Sequence, residues 1–297
     1  MTQINFFICT PSSQGTLSLE RESRGISRLS KYGVTVKFAP DYKKTNLTIA
    51  QKVSQLEAAF ADPAVDVVMC YWGGYTSNEL LEHVDYCKIA AHPKPFVGYS
   101  DCTTLLHALH TQAGIPTIHG AAFVSVTKEF FYVESVESLL AALHGKICYD
   151  ESHLTVGRTG DAMLSLRDGS CGGVATGGHI ALLSALVGTR YLFLPKNHIL
   201  FLECSEEYSL DQCARYLYHL KQAGVFLYTS AVIFSRFTPE SRVDESALRQ
   251  LLLEILPTHI PIMINFDSGH TDPILSVRFG ASYSFSLRGS QFLLYEI

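Results

Sequence analysis

The first 120 residues alternate between apolar stretches typical of strands and amphipathic stretches typical of helices, which leaves few possible architectures. Helix-like stretches occupy 17–31, 49–60, 77–84 and 102–113, and strand-like stretches are INFFIC (4–9), VTVKFAP (34–40), VDVVMCYW (65–72) and PFVGYS (95–100). This order predicts a parallel sheet flanked by helices. In such sheets, ligands bind beyond the carboxyl ends of the strands.

Composition and charge exclude several classes of protein. With 297 residues, 47% hydrophobic and 17% charged, the chain is expected to form a globular protein of one large or two ordinary domains. A net charge of −5 without a basic stripe argues against a nucleic-acid partner. The longest apolar stretch, 251–266, is interrupted by Glu254, Pro257 and His259, so no membrane span is expected.

The amino end and the cysteines both predict a cytoplasmic protein. No Lys or Arg precedes the short apolar run of MTQINFFICT, which argues against secretion. The eight cysteines form no CxxC pair and no cluster of the metal-binding kind. We therefore expect free thiols in a reducing compartment and no cysteine metal site.

The periodic pattern stops near residue 145 and resumes near residue 177. The stretch between is rich in Gly, Asp and Ser, which is typical of irregular connections. Helix-like and strand-like stretches then alternate up to a hairpin-like tail. We predict an α/β domain over 1–145, an interdomain crossover over 146–176, and a smaller mixed α/β domain over 177–297.

Ser100 stands between a buried strand and the start of a helix, and two interpretations fit this position. A serine is a good helix N-cap. Alternatively, the turn lifts the Ser100 hydroxyl out of the sheet as a nucleophile, with the N–H of Asp101 facing an oxyanion. Cys102 stands where a GxSxG motif has its second glycine and is a rival nucleophile, although a buried inert thiol is expected there.

A serine nucleophile needs a base and a group that orients the base. Of the twelve histidines, His119 in TIHG and His270 in SGHTDP each follow a strand beside a glycine. Glu203 ends the apolar run ILFLE, where a carboxylate needs a partner such as an imidazole N–H. The alternative is that Glu203 lies at the rim of the protein in contact with water.

Six stretches, in order, resemble the LD-carboxypeptidase family of serine peptidases, which includes murein tetrapeptide carboxypeptidases and microcin C self-immunity proteins. The resemblance implies two α/β domains with the active site in the cleft between them, a homodimer, and no metal or cofactor. The stretches are AAFADPAVDVVMCYWGGYTSNELL, DYCKIAAHPKPFVGYSDCTTLLHAL, TIHG, GSCGGVATGGHIALLSALVGTRY, ILFLE and SGHTDP.

The resemblance also implies residue roles. Ser100 matches the nucleophile, Glu203 the acidic member and His270 the base of a Ser–Glu–His triad, whereas His119 matches a position outside it. The oxyanion donors would be the backbone N–H groups of Gly74 and Asp101. Substrate contacts are expected at Gly73, Ser77, Asn78 and His179.

The substrate is left open by two departures from the family pattern. Members that act on muropeptides typically carry Arg-Gly-Gly-Tyr-Gly, where this chain has WGGYTSN over 72–78. The Ser-Asn pair favours the microcin-immunity branch and thus a peptidyl or aminoacyl nucleotide. That branch stacks tryptophans on the base, but Trp72 is the only tryptophan here, leaving Tyr149 as a substitute, and His179 replaces an expected Asn.

One alternative is an LD-carboxypeptidase that cleaves murein tetrapeptides in cell-wall recycling. The other is not an enzyme but a non-catalytic binding protein.

Overall fold

The computed structural model describes residues 3–13, 15–154, 162–205, 207–237, 239–241 and 243–297. Within them the strands are β1 (Ile4–Cys9), β2 (Val34–Phe38), β3 (Val67–Cys70), β4 (Phe96–Gly98), β5 (Thr117–His119), β6 (Cys148–Asp150), β7 (Leu164–Arg167), β8 (Gly169–His179), β9 (His198–Glu203), β10 (Thr229–Ser235), β11 (Ile262–Phe266), β12 (Val277–Phe279), β13 (Ser282–Arg288) and β14 (Gln291–Glu296).

The α-helices of the same residues are α1 (Leu19–Ser30), α2 (Ile49–Ala61), α3 (Tyr86–Ala90), α4 (Thr103–Ala108), α5 (Phe123–Val126), α6 (Glu134–Leu143), α7 (Ile180–Leu186), α8 (Leu210–Gln222) and α9 (Glu245–Ile255). Capping fixes where several of them start. Thr48 and Gln51 form a capping box on α2, and Ser209 and Gln212 form one on α8. None of these helices is long and apolar enough to cross a membrane.

The first sheet has the strand order β12-β5-β4-β3-β1-β2, and β1 to β5 are parallel. The predicted α/β fold with a parallel amino-terminal sheet is therefore confirmed. The sheet has one further strand, because β12 from the carboxyl-terminal tail pairs antiparallel with β5. The sequence assigned the whole tail to the second domain, whereas in the structure this one strand of the tail pairs with the first sheet.

The second sheet is mixed, with the order β6-β14-β13-β8-β9-β10-β11-β7. Its centre, β8 to β11, is parallel, and antiparallel strands flank it on both sides. Helices α7, α8 and α9 cover an apolar cluster on this sheet, while a second buried cluster is continuous between the two sheets. The parallel strands of the two sheets therefore share one continuous hydrophobic core.

The segment 146–176 contains strands of the second sheet, namely β6, β7 and most of β8. Its glycines explain why the strand pattern was hard to recognise, since Gly172 and Gly173 carry no side chains to alternate. Part of the predicted crossover, 155–161, lies outside the described residues. The boundaries at 145 and 177 stay a prediction.

Two predicted helices differ from the observed ones. The helix expected over 102–113 begins with a 3₁₀ turn at Ser100–Cys102, continues as α4 and ends in a π-helical turn at Leu109–Ala113. The helix expected from Ser77 onward is a single 3₁₀ turn, Ser77–Leu80. The first N–H of that turn donates to the carboxylate of Asp101, so the segment is held by the neighbouring loop.

Candidate active site

Ser100 lies at a strained turn directly after β4. Its backbone φ is +60°, a left-handed conformation that is uncommon for a residue with a side chain. Such strain clusters at functional sites, and a serine on a sharp strand-to-helix turn projects its hydroxyl beyond the sheet edge. The N-cap interpretation is not supported, because the Ser100 side chain caps neither the 3₁₀ turn nor α4.

The Gly73-Gly74 loop packs its backbone against this turn. A Cβ at Gly73 would lie 3.3 Å from both Cβ and Oγ of Ser100. Gly74 has a φ of +144°, and a Cβ there would lie 2.2 Å from the carbonyl oxygen of Ser13. Gly74 therefore requires glycine, and any side chain at Gly73 would press against Ser100, so the backbone of Gly73 lies next to the Ser100 side chain.

Asp101 connects this loop to the turn through its buried carboxylate. Oδ2 accepts a hydrogen bond of 2.5 Å from the Ser12 hydroxyl and one of 2.8 Å from the Ser77 N–H. The Ser77 hydroxyl donates to the Asp101 carbonyl oxygen over 2.6 Å. The side chain of Asp101 thus fixes the surroundings of the turn, while its backbone N–H belongs to the unpaired first N–H groups of a helical turn.

Glu203, at the end of β9, holds two segments together. Its Oε1 accepts the Ser100 N–H at 3.3 Å, and its Oε2 accepts both the Nδ1–H (2.5 Å) and the backbone N–H (3.2 Å) of His270. Burial opposes ionisation of this carboxyl, but the charge and hydrogen bond of His270 outweigh it and lower the pKa of Glu203 to about 2. Because Nδ1 donates to a carboxylate, Nε2 is the basic nitrogen of the neutral ring.

The glycine before His270 is required by this arrangement. Gly269 has a φ of +72°, and a Cβ there would lie 2.3 Å from Oε2 of Glu203. On the other side, the ring of Tyr99 contacts the His270 ring edge-on with 5.1 Å between centroids. The imidazole is therefore held by a carboxylate, by a glycine turn and by an aromatic neighbour.

The other strand-end histidines lie behind this centre. The His119 ring stacks on Phe279 at 5.6 Å, and its buried Nδ1 has no partner. Burial lowers the pKa of His119 to about 4, and it also lowers the pKa of His179. The Nε2 of His179 accepts the Ser205 N–H at 3.3 Å, and its ring lies edge-on to His270 at 5.7 Å. Both rings are neutral, and neither takes the place of His270 beside Glu203.

We expect stability to fall between pH 7 and pH 5 because of the buried histidines. Burial lowers the pKa of His107 and of His119 to about 4 each, against about 6.5 in the unfolded chain. Within this window the unfolded chain binds protons that the folded rings exclude, so each ring reduces the free energy of unfolding by about 2 kcal/mol at pH 5.

Urea unfolding at both pH values measures this loss. His119→Phe keeps the stacking on Phe279. The fall in the free energy of unfolding between pH 7 and pH 5 is expected to be smaller in this variant by the contribution of one histidine. Replacing the exposed His92 by Gln, as the control, should leave it unchanged. An equal pH dependence in wild type and His119→Phe would contradict the assignment.

A cavity of about 1090 Å³ opens in front of Ser100 and His270. Gly73, Gly74, Asp101 and His179 also line it, and their roles as oxyanion donors or substrate contacts stay predictions. Most of the aromatic wall of the cavity is not predictable from the sequence, because these residues lie in loops with no pattern that marks a ligand. The aromatic lining residues are Trp72, Tyr75, Tyr99, Phe130, Tyr132, Tyr208 and Phe237.

Three predicted contacts lie elsewhere. Ser77 is fully buried behind the turn, with its hydroxyl bound to Asp101 and Thr104, and Asn78 is exposed outside the cavity lining. Tyr149 is buried and donates its hydroxyl to the Ser276 carbonyl. The interpretation of Ser77 and Asn78 as substrate contacts, and of Tyr149 as a stacking residue, is therefore wrong. Internal hydrogen bonds explain why Ser77 and Tyr149 carry hydroxyl groups at these positions.

The described residues contain no group of three or more His, Cys, Asp and Glu side chains arranged to hold a metal ion. The buried thiols of Cys204 and Cys213 are 2.9 Å apart and face the apolar interior of the second domain. The cavity is lined by hydroxyl, carboxylate and imidazole groups, which a serine hydrolase uses, and also by the cationic side chains of Arg21, Lys128 and Arg236.

Comparison with known proteins gives a consistent result. Residues 7–120 match the N-terminal domain and residues 172–285 the C-terminal domain of the LD-carboxypeptidases. The chain is 25% identical to the microcin C7 self-immunity protein of Escherichia coli, covering 93% of this chain and 88% of that protein. It is 29% identical to a murein tetrapeptide carboxypeptidase of Pseudomonas aeruginosa, covering 75% and 73%.

Solved structures share the fold. An MccF-like protein from Bacillus anthracis superimposes with a TM-score of 0.89 at 24% identity, covering 100% of this chain and 98% of that one. The microcin C7 self-immunity protein in complex with aspartyl sulfamoyl adenosine superimposes with a TM-score of 0.84 at 23% identity, covering 100% and 97%. The two-domain α/β architecture predicted from the sequence is thus confirmed.

Proposed function

Because this chain belongs to the LD-carboxypeptidase family and is a serine carboxypeptidase, we propose that Ser100, Glu203 and His270 form its catalytic triad. One observation carries the proposal: a single buried carboxylate accepts the backbone N–H of Ser100 and the Nδ1–H of His270. That carboxylate comes from the second sheet and Ser100 from the first, so the two domains meet at the reacting groups.

In the acylation step, His270 Nε2 takes the proton of the Ser100 hydroxyl as Oγ attacks the scissile carbonyl carbon. The imidazolium that forms is stabilised by Glu203, whose pKa of about 2 keeps it ionised at neutral pH. His270 then gives its proton to the leaving amine, and the C–N bond breaks. In deacylation, His270 takes a proton from water as the water oxygen attacks the acyl carbon, and it returns that proton to Ser100 Oγ as the acyl C–O bond breaks.

The carbonyl oxygen becomes negatively charged in both tetrahedral intermediates and needs hydrogen-bond donors. We assign this role to the backbone N–H groups of Asp101 and Gly74. The N–H of the residue after a nucleophile commonly supplies one donor in such turns. The close approach of the Gly73-Gly74 backbone to the turn supports the second.

For the substrate we favour an aminoacyl or peptidyl nucleotide. The aromatic wall of the cavity supports this choice, since rings such as Trp72 and Tyr208 offer faces on which a base can stack. The related self-immunity protein has been crystallised with aspartyl sulfamoyl adenosine, which is an analogue of such a compound. These aromatic residues replace the tryptophans expected from the resemblance.

A murein tetrapeptide is the second candidate, favoured by the similarity to a murein tetrapeptide carboxypeptidase. A non-catalytic binding role is disfavoured, because it gives no reason for a carboxylate to orient an imidazole beside a strained serine. We also propose that the protein is a homodimer, which sedimentation equilibrium would test.

Hydrolysis of an aminoacyl sulfamoyl adenosine and of an L,D-tetrapeptide by the purified protein tests the substrate. We expect release of the amino acid from the nucleotide compound, and no release by Ser100→Ala. Cleavage of the tetrapeptide alone would contradict the nucleotide proposal and support a cell-wall substrate. Absence of Ser100-dependent hydrolysis of either would contradict the proposed triad function.

A further inference from the structure

The lysine and arginine side chains of the cavity differ in their ionic partners. Lys128 pairs with Asp272 at 2.7 Å, and Arg236 pairs with the buried Asp267 at 3.0 Å. Arg21 also lines the cavity, and among the described residues no Asp or Glu side chain forms an ion pair with it. The positive charge of Arg21 is therefore not compensated by a carboxylate of the part of the chain that the structure describes.

The hydrogen bonds of the Arg21 guanidinium are incomplete as well. Its Nη2 donates to the Thr127 hydroxyl at 3.2 Å, which is the one side-chain hydrogen bond of Arg21 within the described residues. Its Nε is buried and has no acceptor among them. A guanidinium has five N–H donors, and a charged group that is partly removed from water without acceptors is costly. An anion bound from the cavity supplies both acceptors and a countercharge.

The neighbouring arginines of α1 show that holding the local chain does not account for this charge. Arg24 and Arg28 follow Arg21 at spacings of three and seven residues and therefore lie on the same face of the helix. Arg24 pairs with Glu20 at 3.0 Å, and Arg28 donates to three backbone carbonyls of the segment 126–129. These two arginines hold that segment, whereas Arg21, at the cavity end of the row, contacts it through a single hydroxyl.

Aromatic side chains lie on the same part of the wall. Phe130 follows Thr127 by three residues, lines the cavity and is 82% exposed, which is unusual for a phenylalanine. A Cβ at Gly15 would lie 3.1 Å from the ring of Trp72, so the chain just before α1 packs on that ring. Arg21 thus shares its wall with two flat apolar side chains, Trp72 and Phe130, beside a donor for an anion.

This wall continues to the side of the proposed base. Lys128, next to the residue that Arg21 contacts, pairs with Asp272, which follows His270 by two residues. In the proposed mechanism His270 gives its proton to the leaving amine, so the leaving part of the substrate lies on this side. One cavity contains Arg21, Ser100 and His270. A substrate such as an extended tetrapeptide, about 14 Å long, extends along this cavity from Ser100.

We propose that Arg21 binds an anionic group, a phosphate or a carboxylate, on the leaving part of the substrate. The inference rests on the proposed function of the same site. The planar fork of a guanidinium donates two parallel hydrogen bonds to either group, and such charge-assisted bonds are strong. A neutral ligand of the same shape forms neither the ion pair nor these bonds and therefore binds more weakly.

Binding to the Ser100→Ala protein, measured by calorimetry, tests the proposal with two pairs of probes. Adenosine monophosphate and adenosine differ in the phosphate, and an L,D-tetrapeptide and its C-terminal amide differ in the carboxylate. We expect the anionic member of at least one pair to bind about tenfold more tightly or better, and added salt to reduce this difference. A difference in the first pair identifies a phosphate as the ligand, and one in the second pair a carboxylate.

Arg21→Gln, made in the same Ser100→Ala protein, should remove the difference between the members of that pair. Arg21→Lys keeps the charge without the planar fork and should restore part of it. Arg24→Gln is the matched control, because it makes the same change one turn further along α1, outside the cavity lining, and should leave the difference as it was. With Ser100 present, Arg21→Gln should raise KM for the hydrolysed substrate about tenfold and change kcat little.

The outcomes separate this inference from the function on which it rests. If neither anionic probe binds more tightly than its neutral counterpart, or if the difference is the same after Arg21→Gln, the role of Arg21 is overturned. Hydrolysis that depends on Ser100 leaves the triad standing in that case. If the charge preference depends on Arg21 but no substrate is cleaved in a Ser100-dependent way, the anion site stands and the proposed function fails.

Discussion

Ser100→Ala is expected to lower kcat by about 10⁴- to 10⁶-fold on any substrate that the wild-type protein hydrolyses. Without the hydroxyl no acyl-enzyme forms, and the oxyanion donors and the cavity act only on direct attack by water. The loss is measured by single-turnover kinetics. Binding of the substrate should remain, because Ser100 Oγ contributes to the reaction and the cavity walls contribute the contacts.

His270→Ala should cause a loss of similar size, and the double variant should be no worse than either single one. Groups that act as one unit are strongly non-additive in this way, because removing one member makes the other useless. Losses that multiply in the double variant would contradict a shared mechanism. Near-wild-type activity of Ser100→Ala would contradict the assignment of the nucleophile itself.

Glu203→Gln has the second large expected effect, a decrease in kcat of about 10⁴-fold with little change in substrate binding. The buried carboxylate accepts from three donors, Ser100 N–H, His270 N–H and His270 Nδ1–H. An amide has one acceptor oxygen and one NH₂ group, so at least one of these donors would face another donor. The imidazole then loses its orientation and the charge that stabilises the imidazolium.

Measuring folding, substrate binding and turnover of Glu203→Gln distinguishes a loss of catalysis from simple unfolding. A folded Glu203→Gln protein that binds substrate but turns it over about 10⁴-fold more slowly supports the positioning role. The exposed Glu254→Gln variant, as the control, should keep wild-type turnover. If Glu203→Gln retains turnover within a few-fold of wild type, the carboxylate is only structural.

Local pattern was enough to predict most of the first sheet. The apolar runs of β1, β3 and β4 and the stripe of α2 each bury residues that are close in sequence, so periodicity reveals them. The pairing of β12 with β5 joins segments about 160 positions apart, and nothing in the VRF triplet specifies its partner. Strand β8 was missed for another reason, since its glycines hide the alternation.

The proposed reacting groups were easier to predict from the sequence than the other residues that line the cavity. Ser100, Glu203 and His270 stand at the ends of apolar strands, and a strand end is visible in a sequence. Which histidine meets Glu203 depends on contacts between strands, and only the resemblance favoured His270 over His119.

Ser77 shows why a motif alone assigns roles poorly. In the sequence it extends the double-glycine loop and invites a role in substrate binding. In the structure its hydroxyl and its N–H both bind Asp101, and its side chain has no access to the cavity. A polar residue next to a functional loop can equally serve to hold that loop, and only its hydrogen-bond partners decide between the two.

The central claim is that His270, oriented by Glu203, activates Ser100. Its most direct test is labelling with a serine-reactive acylating probe, followed by mass spectrometry of the modified peptide. We expect one label, on Ser100, in the wild-type protein, and a loss of labelling by several orders of magnitude in rate in His270→Ala. Labelling of another residue, or equal labelling of Ser100 in both proteins, would contradict the account.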